Sequence, residues 1–333
     1  MRSAFLAVVV AMFVVLHYVV FTAAQSSSGV TVVVTFPSLK RDVEVLTCPQ
    51  DRVYSLLPSG VDPHDYQLTP DDVKLLKQAD LIVSTAHTPY ELRIAEMISS
   101  GELTAELIEI PKLKGIEVLT NPITGRENMH MPIYNPRNYL VFVKALSEVL
   151  SKLNPACGKV YEENKAKVVE VLQKLISEYL GRYNLSVVGV SPLTQYAVSW
   201  LGVEVKTFLV VEHEVSPTPA DVSRVKELIE MKQVKALITV EGSEYSEYME
   251  ELSKNYNLPL IKIPSPFTGD TSLLDKIIYV VNAVKNVTLV NQASTSPTLG
   301  SYLPTAAGYY SLVLTLIIAI LLLTAIVLKV RRR

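Results

Sequence analysis

Cysteine is scarce: the 333 residues contain two, Cys48 and Cys157. Two isolated thiols match no zinc or iron–sulfur spacing, which excludes a cysteine-built metal cluster and a disulfide-stapled mini-domain. Outside a cell they could close one disulfide, and in a core they would be two buried thiols; spacing does not choose between these. Neither sign of charge dominates, with 31 Lys and Arg against 33 Asp and Glu, a formal net of −2 and the two signs interspersed. That excludes the basic stripe of a nucleic-acid binder. Gly-x-Ser-x-Gly, the Walker A phosphate loop and His-Glu-x-x-His are all missing, and with them the usual nucleophile, phosphate cradle and zinc-hydrolase helix. The expectation is a binding protein, not an enzyme. Histidine is also rare, with five in the chain, so each position carries information.

The ends of the chain are apolar. Met1-Arg2 is followed by an uncharged greasy run and then Thr22-Ala23-Ala24, the pattern of a secretory signal peptide over residues 1–24. Residues 309–328 carry no charge and are dominated by Leu, Ile, Val and Ala, which is the length a helix needs to cross a bilayer. Lys329, Arg331, Arg332 and Arg333 follow, a basic tail that belongs on the cytoplasmic side. Residues 289–308, rich in Ser, Thr, Pro and Ala, read as a solvated tether. The sequence therefore predicts a cell-surface domain held by a single C-terminal transmembrane helix, with the membrane as a partner and no nucleic acid.

Between these ends, short runs rich in Val, Ile and Leu alternate with amphipathic segments. Residues 30–36, 52–57, 80–85 and 107–110 read as strands, with helices over 71–78 and 90–99. The pattern repeats with strands at 186–191, 205–211, 236–240 and 260–263 and helices over 219–231 and 243–255. Strand–helix alternation implies parallel sheets covered on both faces. From 158 to 183 no proline intervenes, and Val168, Leu172, Leu175, Ile176 and Tyr179 recur at helical spacing. The predicted fold is α/β: an N-terminal lobe over 30–155 and a C-terminal lobe over 184–288, each with a four-stranded parallel sheet. One long rigid helix, 156–183, joins them. Ligands of open parallel sheets sit beyond the carboxyl ends of the strands, so the strand-to-helix loops should line a cleft between the lobes.

The histidines fit that expectation. His17 lies in the leader. His64, His87 and His213 each follow a predicted strand, and His130 precedes a helical pattern over 139–153. Any one of them alone would read as a surface or structural residue. Together, at loop positions on the cleft side, they read as ligands for a transition metal, with imidazole suiting zinc and added carboxylates moving preference toward manganese.

The stretch Pro58-Ser59-Gly60-Val61-Asp62-Pro63-His64-Asp65-Tyr66, then Thr69-Pro70 and, after a helix, Ala79-Asp80-Leu81-Ile82-Val83, resembles the first metal motif of the zinc/manganese class (cluster A-I) of ABC-transporter solute-binding proteins. Pro58 and Pro63 stiffen the turn that presents His64, and Thr69 is placed to cap the next helix. His130 ahead of Asn135-Pro136, and Leu153-Asn154-Pro155 ahead of Tyr161-Glu162-Glu163-Asn164, resemble the same family. The resemblance spans nearly all of the ectodomain and implies two lobes and a rigid helix. It also implies two C-terminal-lobe ligands at positions that here hold Ser191 and Ser265, and hydroxyls are poor ligands for either metal. The expected metal set is therefore His64 and His130 first, then His87 and His213, completed by Glu212, Glu214 or Asp270.

These readings predict an extracytoplasmic solute-binding protein that captures Zn2+ or Mn2+ and delivers it to an ABC transporter permease. Two alternatives follow from the serines at expected ligand positions. One is a degenerate surface adhesion or interaction protein. The other is a binder of chelated metal such as an iron–siderophore complex.

Overall fold

The computed structural model describes residues 29–295 except 59, 60, 62, 213, 214 and 270. The stretches expected to be a signal peptide (1–24), a transmembrane helix (309–328) and a basic tail (329–333) lie outside the described residues. Among those described, no helix is long and apolar enough to cross a membrane. Contacts divide the chain into one unit through Val287 and another from Thr288 to Arg333, and both α/β lobes fall within the first.

In the N-terminal lobe, β1 (Thr31–Val34), β2 (Arg52–Ser55), β3 (Leu81–Ser84) and β4 (Glu106–Glu109) form an all-parallel sheet in the order β2-β1-β3-β4. In the C-terminal lobe, β5 (Leu185–Gly189), β6 (Val203–Phe208), β7 (Ala236–Val240) and β8 (Leu260–Ile263) repeat that order as β6-β5-β7-β8. Val32, Val33, Val34, Leu81, Ile82 and Val83 are wholly buried, because a parallel sheet has helices on both faces and no strand face left for water. The strand order of each sheet reverses beside its first strand, at β1/β3 and β5/β7, the kind of switch point where ligands of such sheets sit.

Helices α1 (Pro37–Glu44), α2 (Pro70–Leu76), α3 (Pro89–Ser99), α4 (Pro136–Leu153) and α7 (Pro219–Glu230) all begin with proline, which brings the φ a helix needs and lacks an N–H that would go unpaired there. Three share the run Thr-Pro-x-acid, at Thr69, Thr88 and Thr218. In each the acid reaches back to the threonine backbone N–H, closing the helix end that would otherwise expose donors. The linking helix α5 (Gly158–Tyr179, 22 residues) is about 33 Å long. It ends four residues before the predicted 183, and Gly181 then turns with φ +64°. Tyr161, Val168 and Leu172 are its buried positions.

Short helix α6 (Leu193–Val198) and α8 (Ser246–Tyr256) complete the C-terminal lobe with α9 (Leu273–Thr295). Sequence reading did not assign α1, α6 or α9. Helix α9 also corrects the tether, expected from residue 289: no proline occurs between Pro266 and Pro297, so nothing in the chain breaks the helix before Thr295.

Cys48 and Cys157 form a disulfide, with Cα atoms 6.1 Å apart. It joins the segment after α1 to the start of α5. Beside it the Asp51 carboxylate accepts from Val30 N (2.8 Å), Cys48 N (2.7 Å) and Tyr161 OH (2.9 Å).

The lobes meet through buried polar contacts. Tyr134 OH donates to Pro264 O at 2.8 Å and Asn121 Nδ2 to Val211 O at 3.1 Å. The Phe36 and Phe267 rings pack with centroids 5.7 Å apart. Asp42 on α1, 1% exposed, accepts from Tyr139 OH (2.9 Å) on α4 and from Leu273 N (2.7 Å) at the start of α9. Burial raises its pKa to about 7, against the lowering effect of these two hydrogen bonds and of Lys276, with Asp275 adding a small raise. An acid that holds its proton more tightly when folded stabilises the fold at low pH. That contribution is complete below pH 3.8 and is lost as pH rises through about 7. Urea unfolding at pH 5 and pH 8 should show wild type losing more resistance on the way up than Asp42→Asn, which cannot ionise.

Candidate metal centre

Three histidines project from three different loops at the carboxyl edge of the first sheet. His64 follows β2, in a turn stiffened by Pro58 and Pro63. Its downstream anchor is the start of α2, where Thr69 Oγ1 accepts from Asp72 N at 3.2 Å and Asp72 accepts from Tyr66 OH at 2.8 Å. Asp72 is thereby occupied in holding the loop.

His87 follows β3 in a loop organised by a buried carboxylate. Glu91, 1% exposed, accepts seven hydrogen bonds, from the hydroxyls of Thr35, Ser84, Thr85 and Thr88 and from the backbone N–H of Thr85, His87 and Thr88. Converging these donors forces Ala86 into the left-handed region at φ +52°, at a cost of about 1–3 kcal/mol for a residue with a Cβ. Burial alone would raise the pKa of Glu91. The hydrogen bonds from Thr35, Thr85, His87 and Thr88 outweigh it and hold the carboxyl below its usual range.

His130 lies just before a 3-10 turn over Pro132–Tyr134 and the start of α4, whose cap is Asn135. It is 9% exposed. The residue after it, Met131, is again left-handed, at φ +52°. Among the described residues, two of the four non-glycine residues with positive φ thus flank candidate ligands.

The rings gather around His87. Its centroid is 5.5 Å from that of His64 and 4.9 Å from that of His130, and both pairs meet edge to face. The three line a cavity of about 880 Å³ together with Phe36, Met129, Met131 and, from the C-terminal lobe, Glu244 and Phe267. They also line an outer opening of about 310 Å³ with Leu92, Glu212 and Val215. Among the described residues, no group of three or more His, Cys, Asp or Glu is already arranged to hold an ion. Zinc–nitrogen bonds of about 2.0–2.1 Å need the ring nitrogens turned onto one point.

Of the residues expected from sequence, His64, His87, His130 and Glu212 come together. His213, Glu214 and Asp270 lie outside the described residues. Ser191 and Ser265 are not among the residues lining either cavity. The Ser191 carbonyl accepts from Thr194 Oγ1 at 2.7 Å, and Ser265 Oγ accepts from Phe267 N at 3.3 Å. Glu244 was missed. It follows β7 as His87 follows β3, and the repeated strand order was the signal that could have found it.

Residues 32–287 match the family model described as zinc-uptake complex component A, periplasmic. The manganese ABC transporter substrate-binding lipoprotein PsaA of Streptococcus pneumoniae is 26% identical over 252 residues, 72% of this chain and 81% of that protein. The metal ABC transporter substrate-binding lipoprotein FimA of Streptococcus parasanguinis is 25% identical over 272 residues, 77% of this chain and 87% of that protein. Among solved structures, the SBP FpvC from Pseudomonas aeruginosa in complex with Mn2+ superposes with a TM-score of 0.65 at 20% identity, covering 80% of this chain and 99% of that one. A crystal structure of ZnuA gives 0.62 at 15% identity, covering 78% and 99%. Likeness at these identities speaks for the fold.

Glu91→Gln should cost about 2–3 kcal/mol at neutral pH, because it sets an amide donor against backbone donors in a buried pocket. The carboxylate's contribution is present above the ordinary pKa of 4.5 and is lost as pH falls through its lowered folded value. The gap between wild type and variant in urea midpoint should therefore narrow in acid.

Proposed function

The chain belongs to the zinc-uptake complex component A family, and from that premise we propose that His64, His87 and His130 take up a zinc or manganese ion in the cleft and that the protein hands it to an ABC permease. The observation that carries the reading is the convergence of three imidazoles from three separate strand-to-helix loops. Imidazole is a ligand of choice for zinc, and carboxylate partners favour manganese. Glu212 lines the same opening as the three rings, and Glu244 lines the cavity from the other lobe. His213, Glu214 and Asp270 remain candidates by their place in the chain.

Relatives and structural neighbours are named for manganese or zinc uptake, or are described with bound Mn2+ or Ni2+. A cation held by nitrogen donors from one lobe and oxygen donors from the other is released by parting the lobes, which is what delivery requires. The protein is a substrate-binding component of a metal transporter by family, and no step of catalysis is assigned to it. Surface adhesion and iron–siderophore binding give way to the bare ion, because the cleft presents clustered imidazoles that a pre-formed chelate would not need.

An extracytoplasmic location is supported by the disulfide, which persists in oxidising compartments. The relatives are named lipoproteins. Here Cys48 and Cys157 are joined to each other, so neither is left to carry a lipid. We assign anchoring to residues 309–328, after removal of a leader over 1–24.

Zinc or manganese at about 100–1,000 times its dissociation constant should stabilise the protein by about 3–4 kcal/mol. Replacing His64 and His130 together by alanine should abolish that gain. Lowering the pH should weaken binding, since protons compete for imidazole. A melting temperature unmoved by either ion would sink the proposal.

A further inference from the structure

A side chain that holds His130 also touches the other lobe. Asn128, 2% exposed, is satisfied at every polar atom. Its backbone N donates to Leu119 O at 2.7 Å, and its carbonyl accepts from Tyr196 OH at 2.6 Å. Its side-chain nitrogen donates to Pro192 O (2.8 Å) and Gln195 Oε1 (2.9 Å), both in the C-terminal lobe. Its side-chain oxygen accepts from His130 N at 3.1 Å and stands 3.2 Å from His130 Nδ1.

The orientation of this amide follows from its partners. Backbone N–H of His130 can only donate, and the Pro192 carbonyl can only accept, so Oδ1 must face His130 and Nδ2 must face Pro192. An imidazole nitrogen at hydrogen-bond distance from a carbonyl-type oxygen must itself carry the proton. Nδ1 of His130 is therefore the protonated nitrogen whatever the charge on the ring, and Nε2 is the one that can offer a lone pair.

Resting on the metal reading above, we infer that Asn128 is a positioning residue. It fixes the His130 tautomer and ring plane for ligation through Nε2, and it ties that ring to the start of α6 in the C-terminal lobe, at its cap Pro192 and at Gln195 in its first turn. A partner on the far nitrogen of a ligating histidine sets tautomer and orientation, and its loss typically weakens metal binding about 10–100-fold. Here the partner bridges the lobes, so a cation that pulls on His130 also loads the contact between them.

The test is nitrogen-15 NMR of the histidine rings in the metal-free protein, at a pH where they are neutral, together with zinc titration. Wild type should show His130 protonated on Nδ1. Asn128→Asp keeps an acceptor for His130 and loses the donor to Pro192, so it should keep that tautomer. Asn128→Ala should shift His130 toward the Nε2-protonated form and weaken zinc binding about 10–100-fold. Gln195→Ala, which leaves the His130 contact intact, should not change the tautomer.

A wild-type His130 protonated on Nε2 overturns the inference, and that measurement needs no variant to fold. Zinc affinity and tautomer both unchanged in Asn128→Ala overturn it as well. A wild type that keeps the Nδ1 proton but binds neither zinc nor manganese overturns the metal reading and the positioning role with it, and the tautomer result tells that failure from the first.

Discussion

Burying a charge is tolerable only when its hydrogen-bonding capacity is filled, and the carboxylate of Glu91 shows what that demand does to a loop. The donors that satisfy it come from the ends of β1 and β3 and from the loop leading into α3, whose first turn carries Glu91 itself. Once they converge, the path of the chain from Ser84 to Thr88 is set and Ala86 accepts a strained backbone. His87 then has one place to stand, between His64 and His130. The same logic recurs at Asn128, whose amide is saturated by both lobes, and at Asp42, which joins α1, α4 and α9. The cleft is shaped by polar groups that found partners, and the apolar core supplies the rigid platform beneath them.

Much of the scaffold could be read from the chain. Buried strands are runs rich in Val, Ile and Leu, and seven of the eight fell within two residues of the expected limits because parallel sheets leave that imprint; β6 ended three residues before the expected 211. The His64 turn was legible because Pro58, Pro63, Thr69 and Pro70 act locally. Helix α1 was not read, since it follows β1 with almost no loop and Phe36-Pro37 looked like the end of a strand. Nor could spacing bring Cys48 to Cys157, because their meeting depends on where α4 delivers the start of α5 against the first lobe. Asn128 gave no signal, as an amide between two loops becomes informative only when Pro192 and His130 are seen on either side of it.

The two sheets share strand order, yet the residues at their carboxyl edges differ. The first sheet contributes imidazoles, and the second contributes Glu212 and Glu244 from loops after β6 and β7. On the proposed reading, each lobe alone offers an incomplete set of ligands, which suits an ion that is to be held and then surrendered.

The disulfide at the head of α5 has a mechanical consequence. Cys157, Tyr161 and Asn164 fasten the first turns of the linking helix to the N-terminal lobe through Cys48, Asp51 and Thr47. That lobe and the helix must therefore travel as one body, like a handle welded to its blade. At the opposite end the attachment is softer, consisting of backbone hydrogen bonds from Gly181 to Trp200 and from Tyr183 to Leu201 around a left-handed glycine. The joint with the histidine-bearing lobe is therefore the stiffer of the two, and any relative movement of the lobes would meet least resistance at the glycine end of the shaft.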